Sequence, residues 1–311
     1  MYLQIPSHFN PCNHADVRID WYNGLFRVVF DAMASPCTVL IELKKNDFER
    51  AKQIAYLAAI ECWRIEYKYS RYQKDNFFCH LHAKPNEWVK LDDESKRLVH
   101  FADAAWHISE GLFDISSGVL RQAWSFKEGA SIPPQTHIDE LLPHIGWQKI
   151  QLDPIKGIKL PPRMELDFGG IGKEYAVDCV LQRIDHAYKN VSCLVNFGGD
   201  IATNKSRRNQ QPWHVGLESP FNNESQATIS LKQGALATSG DSQRYLMHEG
   251  RRYSHVLNPK TGWPVVDAPR SVTLAAPTCI QAGFMASLTL LQGRKAKSFA
   301  NKTGFKFWVY D

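Results

Sequence analysis

The sequence predicts an α+β fold in which helices pack against mixed β-sheets. Both helical and strand-like hydrophobic periodicities occur along the 311-residue chain, and several strand candidates follow one another closely enough to form hairpins. A chain of this length can bury a large core, either as one domain or as two interlocked lobes.

Two strands and two helices are predicted in the first half of the chain. Residues 25–30 and 38–43 are rich in β-formers and are predicted to be strands. Asn46 can cap a helix whose apolar residues recur at helical spacing, and a second helix is predicted from about Asp93 to Gly111. Residues 125–163 are richer in Pro and Gly, and we expect them to run over the surface.

The second half is more densely structured. A helical pattern runs from Glu174 to about Lys189, and a strand pattern follows at Val191–Phe197. Four more strands are predicted, near residues 213–218, 227–232, 243–247 and 253–257. The chain then ends with a strand at 271–276, a helix at 278–291 and a strand at 305–310.

Composition and charge exclude several classes of protein. The net charge is +5, but the basic residues form isolated spots, whereas nucleic-acid binding requires a clustered face. No stretch reaches the roughly 20 apolar residues of a membrane helix, and the N-terminus lacks the pattern of a secretory signal. Seven cysteines form no C-x-x-C pair, which favours a reducing compartment, and we expect the cytoplasm.

The segment DFGGIGKEY, residues 167–175, is the first that could carry chemistry. Its glycines allow backbone N–H groups to approach an anion at a helix N-terminus, and Lys173 lies in the first turn. Its spacing fits neither a dinucleotide fingerprint nor a Walker loop. The same residues are also explained by a tight strand-to-helix turn with a solvated lysine and no ligand.

Three later segments are equally ambiguous when each is taken alone. Residues 196–200, NFGGD, indicate a turn, and residues 237–245 place hydroxyls, a glycine and an acid together. Ser239 lacks the pattern of a hydrolase nucleophile. His255 is predicted at a strand end, where it could act as a base near neutral pH, although a histidine in a strand is more often structural.

In this order, the segments resemble the FAD:protein FMN transferase family, the ApbE-like proteins. The resemblance extends from about Phe30 to the end of the chain. Residues 254–264, SHVLNPKTGWP, are similar to the family signature S-H-I-x-x-P-x-T-G-x-P. Weaker similarities lie at residues 30–35, 70–75 and 111–124. The resemblance implies a single transferase unit over residues 1–311, with 25–311 as the core and 1–24 as an N-terminal extension.

The resemblance also implies a reaction and a set of site residues. FAD would lie in a cleft with Mg²⁺ beside its pyrophosphate, and a Thr or Ser hydroxyl of an acceptor flavoprotein would attack the FMN phosphate and release AMP. His255 matches the proposed base. Gly170 and Ser287 match metal-binding positions. The positions that match FAD contacts are Met33, Tyr72, Leu112, Phe113, Asp114, Asp167, Lys173 and Val256.

The main departure from the family pattern lies in the predicted metal site. The family has an aspartate four residues before the position of Ser287, and this chain has Gly283. Asp200 and Asp241 are the candidates to replace that carboxylate. We otherwise expect weak Mg²⁺ binding, which Gly283→Asp would tighten. His82 and Asn76 also depart from the family, which usually has asparagine and serine at these positions.

Two alternatives to FMN transfer stay open at this stage. The chain could bind FAD without transferring FMN, because its metal site is incomplete. It could also be an FAD pyrophosphatase, in which water replaces the acceptor hydroxyl and FMN and AMP are released.

Overall fold

The structure is a computed structural model that describes residues 2–3, 16–127, 129–221, 225–241 and 244–311. Its strands are β1 (Tyr2–Leu3), β2 (Val17–Tyr22), β3 (Leu25–Ala32), β4 (Ser35–Glu42), β5 (Gln151–Asp153), β6 (Gly157–Lys159), β7 (Ser192–Phe197), β8 (Asp200–Thr203), β9 (Trp213–Glu218), β10 (Ser225–Leu231), β11 (Gly234–Gly240), β12 (Tyr245–His248), β13 (Arg251–Ser254), β14 (Ser271–Ala276) and β15 (Phe307–Tyr310). Its α-helices are α1 (Phe48–Tyr69), α2 (Phe77–His82), α3 (Asp93–Ile108), α4 (Gln135–Leu141), α5 (Gly172–Ala187), α6 (Cys279–Leu291) and α7 (Ala296–Lys302).

Nine of these strands form one sheet, in the order β1-β2-β3-β4-β7-β8-β11-β14-β15. Every neighbouring pair in this sheet is antiparallel. The remaining strands form three hairpins, β5–β6, β9–β10 and β12–β13. The structure combines α-helices with antiparallel β-sheets, and the predicted α+β fold class is confirmed.

Three long helices, α1, α5 and α6, pack on one face of the large sheet. The main core lies between them, with Val39, Trp63, Val180 and Val195 fully buried. The carboxylate of Asp178 on α5 accepts hydrogen bonds from the first two backbone N–H groups of α6, at 2.8 and 2.9 Å. These bonds satisfy donors that a helix start leaves unpaired, and they fix the relative position of α5 and α6.

Residues 125–163 are largely exposed, as expected, but they also bury several large side chains in the protein interior, which the sequence did not predict. Ile138 of α4 is fully buried in a second cluster that also contains Leu120 and Trp124. Trp147 and Ile158 are buried in the main core. The Pro and Gly residues of this segment separate short elements, and each element buries one or two large side chains.

Two central strands, β8 and β11, were missed by the sequence prediction. β11 reads GALATSG and lacks the β-branched and aromatic residues that identify most strands. Small residues suit this position because α6 packs directly on β11. β2 pairs with β3 and buries Val17 and Ile19, so part of the predicted N-terminal extension belongs to the sheet.

Residues 1 and 4–15, among them Cys12, lie outside the described residues. The six cysteines in the described part of the chain are free thiols. Within the same residues, no helix is both long enough and apolar enough to cross a membrane.

Candidate active-site cleft

A cleft of about 1260 Å³ opens at one end of the large sheet, beside the N-terminus of α5. The turns after β3 and β7 and the end of β11 form its floor, and the segments 70–73, 112–124 and 255–259 form its walls. Every site residue expected from the sequence lines it: Met33, Tyr72, Leu112, Phe113, Asp114, Asp167, Gly170, Lys173, His255, Val256 and Ser287. Gly283, at the position of the missing aspartate, lines it too.

Lys173 lies in the first turn of α5 and forms an ion pair with Asp200, with 2.7 Å between Nζ and Oδ2. Burial alone would lower the pKa of Lys173, but the charges of Asp200 and Glu174 raise it above its ordinary value. The ammonium therefore stays charged at neutral pH. A cation at a glycine-rich helix start is suited to a phosphate group.

Arg71 is a cleft residue that the sequence analysis missed. Its guanidinium pairs with Asp167 and donates a hydrogen bond to the Tyr72 hydroxyl, at 3.0 Å. Asp167 also accepts a bond from the Gly169 backbone N–H at 3.0 Å. Arg71 thus links two parts of the cleft, the segment that carries Tyr72 and the glycine-rich loop that begins at Asp167. The only sequence signal for it was its place beside Tyr72.

Asp114 organises the segment that follows α3. Its carboxylate accepts hydrogen bonds from the Ser116 backbone and hydroxyl, at 2.9 and 2.6 Å, from the Trp106 indole at 3.1 Å, and from the Trp147 backbone at 2.9 Å. These four bonds occupy most of its acceptor capacity. In this structure Asp114 holds the cleft wall that includes its neighbours Leu112 and Phe113.

Met33 and Ala34 form the two-residue turn between β3 and β4, and both have positive φ, 52° and 55°. Positive φ at both central residues is typical of type I′ turns, which match the twist of a hairpin. The neighbouring turn after β7 packs closely on this hairpin, because a Cβ at Gly198 would lie 2.8 Å from Ser35 Oγ. Met33 is thereby held at the edge of the cleft.

His255 directly follows β13, and one nitrogen of its ring contacts the protein backbone. Nδ1 lies 2.9 Å from the carbonyl oxygen of Arg244. A carbonyl can only accept, so Nδ1 carries the proton and Nε2 keeps its lone pair. Burial lowers the pKa of His255 below its ordinary value. The neutral imidazole, the form that accepts a proton, is therefore favoured at pH 7.

Both carboxylates named as replacements for the missing aspartate form ion pairs with basic side chains. Asp241 is held by Arg252 and Arg270, each with Nε 2.9 Å from a carboxylate oxygen. Asp200 is paired with Lys173, as described above. The geometry instead shows a third carboxyl group in this region, that of Glu174 on α5, which the sequence analysis did not name.

Glu174 lies where a side chain at Gly283 would begin. A Cβ at Gly283 would be only 2.6 Å from Cγ and Oε1 of Glu174. Glu174 is buried, and its Oε2 has no hydrogen-bond partner among the described residues. Burial, together with the charge of Asp200, raises the pKa of Glu174 well above its ordinary value.

Hydroxyl groups complete this end of the cleft. Ser287, one helical turn after Gly283 on α6, contacts the hydroxyl of Ser239 at 3.3 Å. Thr238 and Thr273, on the adjacent strands β11 and β14, bond to each other at 2.8 Å. Hydroxyl, carbonyl and carboxylate oxygens are the ligands that hard divalent cations prefer.

The two other departures from the family pattern have structural roles. Asn76 caps α2 by accepting a bond from the Cys79 backbone N–H at 3.0 Å. His82 accepts a bond from the Leu166 backbone N–H at 2.8 Å and stacks on Phe78. Both residues support the wall behind the cleft, and neither lines it.

Known proteins resemble this chain in sequence and in fold. The ApbE family model matches residues 33–308. The chain is 26% identical to the FAD:protein FMN transferase of Haemophilus influenzae, over 79% of this chain and 74% of that protein. It is 30% identical to the one of Salmonella typhimurium, over 65% and 60% respectively. The ApbE protein of Thermotoga maritima superimposes with a TM-score of 0.84 at 28% identity, over 92% of this chain and 94% of that one.

Proposed function

The chain belongs to the ApbE family, and we propose that it is an enzyme that transfers FMN from FAD to an acceptor flavoprotein. The acceptor group is a Thr or Ser hydroxyl, and AMP is the second product. The observation that carries the proposal is the convergence of all eleven expected site residues, from segments far apart in sequence, on one cleft. We treat the whole chain as one transferase unit that acts in the cytoplasm.

The cleft is suited in size and polarity to FAD. At about 1260 Å³, it exceeds the roughly 300–1,000 Å³ of most small-molecule sites, which leaves room for a dinucleotide and an acceptor side chain. We place the isoalloxazine ring near Met33, Tyr72 and Phe113. The diphosphate would lie at the start of α5, where Lys173 and the backbone N–H groups offer positive charge.

The transfer step uses this chain's own groups to position the reactants and move one proton. The acceptor oxygen attacks the FMN phosphorus, a new P–O bond forms, and the P–O bond to AMP breaks. The acceptor proton goes to Nε2 of His255, whose Nδ1–H stays bonded to Arg244. Charge on the transferring phosphoryl group is stabilised by Lys173 and the helix start.

The residues present also fit a divalent cation such as Mg²⁺. The carbonyl of Gly170 and the hydroxyl of Ser287 are the expected ligands, and both residues line the cleft. An unpartnered carboxyl oxygen of Glu174 is buried in the same region. When bound, Mg²⁺ would neutralise charge on the diphosphate.

An assay of AMP release tests this proposal against its two alternatives. Purified protein is incubated with FAD and Mg²⁺, with and without an acceptor flavoprotein, and AMP and protein-bound flavin are measured. AMP that forms only with the acceptor supports transfer. AMP formed without any acceptor indicates an FAD pyrophosphatase, and FAD binding without AMP indicates a binding protein.

A further inference from the structure

Glu174 and Gly283 occupy facing positions on two helices whose register is fixed. Asp178 of α5 binds the backbone N–H groups of Cys279 and Ile280 at the start of α6. One helical turn earlier on α5 lies Glu174, and one turn later on α6 lies Gly283. The antiparallel contact thus brings the two positions together, as the 2.6 Å separation of a Gly283 Cβ from Glu174 also shows.

In its present position, the side chain of Glu174 fills the space beside Gly283. Cβ atoms essentially never approach another heavy atom to 2.6 Å, so any larger residue at 283 would have to displace Glu174. The carboxyl group thus enters from α5 the space that a side chain on α6 would otherwise occupy. An acid that the sequence comparison expects at 283 is absent, and an acid from the facing helix lies in its place.

One oxygen of the Glu174 carboxyl group lacks the partner that buried carboxyl oxygens normally have. Glu174 is 8% exposed, and no described residue hydrogen-bonds its Oε2. A buried polar atom without a partner is costly and indicates a missing ligand, ion or water. Glu174 lines the cleft, so a ligand there can reach it.

The surrounding charges leave Glu174 without a matching positive group. Lys173 is paired with Asp200 at 2.7 Å, and Asp178 is bonded to the α6 backbone. One lysine next to two carboxyl groups, Asp200 and Glu174, leaves one negative charge unbalanced when both are ionised. A divalent cation would supply that balance, with Ser287 as a neighbouring oxygen ligand.

We propose that Glu174 is the carboxylate ligand of the divalent cation in this chain, in place of an acid at position 283. The proposal rests on the proposed FMN transfer only in naming the cation's role; the site itself is tested by metal binding alone. This assignment replaces the expectation that Mg²⁺ binds weakly because position 283 lacks an aspartate. It also changes the expected effect of Gly283→Asp, which in the presence of Glu174 crowds the site and does not complete it.

Mn²⁺ binding to the whole chain, measured by electron paramagnetic resonance and calorimetry, tests the proposal. We expect one site in the wild-type protein and at least a tenfold weaker affinity in Glu174→Gln, which keeps the shape and removes the charge. Glu218→Gln is the matched control, because Glu218 also lines the cleft but is exposed. Its affinity should stay within about twofold of the wild type.

The exchanged double variant, Glu174→Gly with Gly283→Asp, provides a second test. It moves the carboxylate to the other helix and should bind Mn²⁺ within a few-fold of the wild type. Thermal unfolding keeps the test valid if a variant is unstable. At the same Mn²⁺ concentration, Mn²⁺ should raise the Tm of the wild type and of the double variant by similar amounts, and that of Glu174→Gln by clearly less.

Two results would overturn the proposal. One is wild-type Mn²⁺ affinity in Glu174→Gln, and the other is the absence of Mn²⁺ binding to the wild type at millimolar concentration. Flavin fluorescence separates these failures from failure of the proposed function. A protein that binds FAD and transfers FMN, but binds Mn²⁺ independently of Glu174, would refute only the ligand assignment.

Discussion

The Nδ1 atom of His255 lies 2.9 Å from the carbonyl oxygen of Arg244, and this contact sets the chemistry of the imidazole. The carbonyl selects the tautomer in which Nδ1 carries the proton, and it fixes the orientation of the ring. Nε2 is left as the proton acceptor. A histidine whose main contact is with the backbone can be replaced without breaking an ion pair.

His255→Ala should abolish FMN transfer and leave FAD affinity within about twofold of the wild type. In the proposed reaction the base acts on the acceptor hydroxyl, and loss of a general base typically costs about 10²–10⁴ in rate. Transfer is measured by protein-bound flavin, and FAD affinity by flavin fluorescence. His248→Ala, at a surface position in β12, is the control. A His255→Ala protein that transfers FMN at the wild-type rate would assign the base role to another group.

In a pH profile of the transfer rate, the fall on the acid side should have its midpoint below pH 6.5. Burial lowers the pKa of His255 from the ordinary value of 6.5, so its neutral form persists to lower pH than in a solvent-exposed histidine. The rate should fall only as pH drops through this lowered pKa. An NMR titration of the His255 ring gives the pKa directly. A value at or above 6.5 would contradict the prediction.

The residues named from the sequence line one cleft, and most of them lie in short blocks next to turns and helix starts. The glycines of 167–175 mark the start of α5, and the segment 254–264 carries His255. The long helices were also predicted, since their apolar residues recur at helical spacing. These signals are local, and a single sequence shows them directly.

The structure was needed where the signal is not local. Glu174 and Gly283 are far apart in sequence, and only the contact of α5 with α6 shows that one fills the space of the other. β11 was missed because a strand beneath a closely packed helix uses small residues, which have low strand propensity. Arg71 was missed because an arginine in a loop has no pattern of its own.

Ala34→Gly should stabilise the protein. Ala34 has a φ of 55°, a conformation that costs a residue with a Cβ about 1–2 kcal/mol, part of which is offset by the greater unfolded-state entropy of glycine. We expect the free energy of unfolding to rise by about 0.5–1 kcal/mol. Ala104→Gly, at an exposed position inside α3, should lower it by about 1 kcal/mol. Urea denaturation measures both, and equal signs for the two variants would contradict the turn argument.

Glu94 should stabilise the fold at neutral pH and lose this effect in acid. Burial alone would raise its pKa, but hydrogen bonds from Arg64 at 2.6 Å and Lys68 at 2.7 Å outweigh burial and lower the pKa to about 2. The unfolded value is near 4.5. A lowered pKa in the folded state gives stability that is complete above pH 4.5 and is lost as pH falls towards 2.

Glu94→Gln tests this contribution. At pH 7 we expect its free energy of unfolding to be lower than that of the wild type by about 1–2 kcal/mol, after allowance for solvent screening of the pair. The difference should shrink as the pH of the denaturation experiment is lowered below 4.5. Glu87→Gln, at an exposed position between α2 and α3, is the control and should change the free energy of unfolding by less than about 0.5 kcal/mol at pH 7. A constant difference from pH 7 to pH 3 would exclude the ionised Glu94 as its source.

Gly283→Ala should destabilise the protein, although alanine is the better helix former by about 1 kcal/mol. The new Cβ would lie 2.6 Å from Glu174, and overpacking of a buried site typically costs about 1–3 kcal/mol. Gly172→Ala, at the start of α5, is the control, because its Cβ would meet only Phe168, at 3.7 Å. That variant should be neutral or stabilised.

The decisive comparison is a double-mutant cycle by urea denaturation with Glu174→Ala. In that background the space beside residue 283 is free, so Gly283→Ala should change sign and become stabilising, with a coupling energy of about 1–3 kcal/mol. If Gly283→Ala costs the same in both backgrounds, the glycine is required by something other than Glu174.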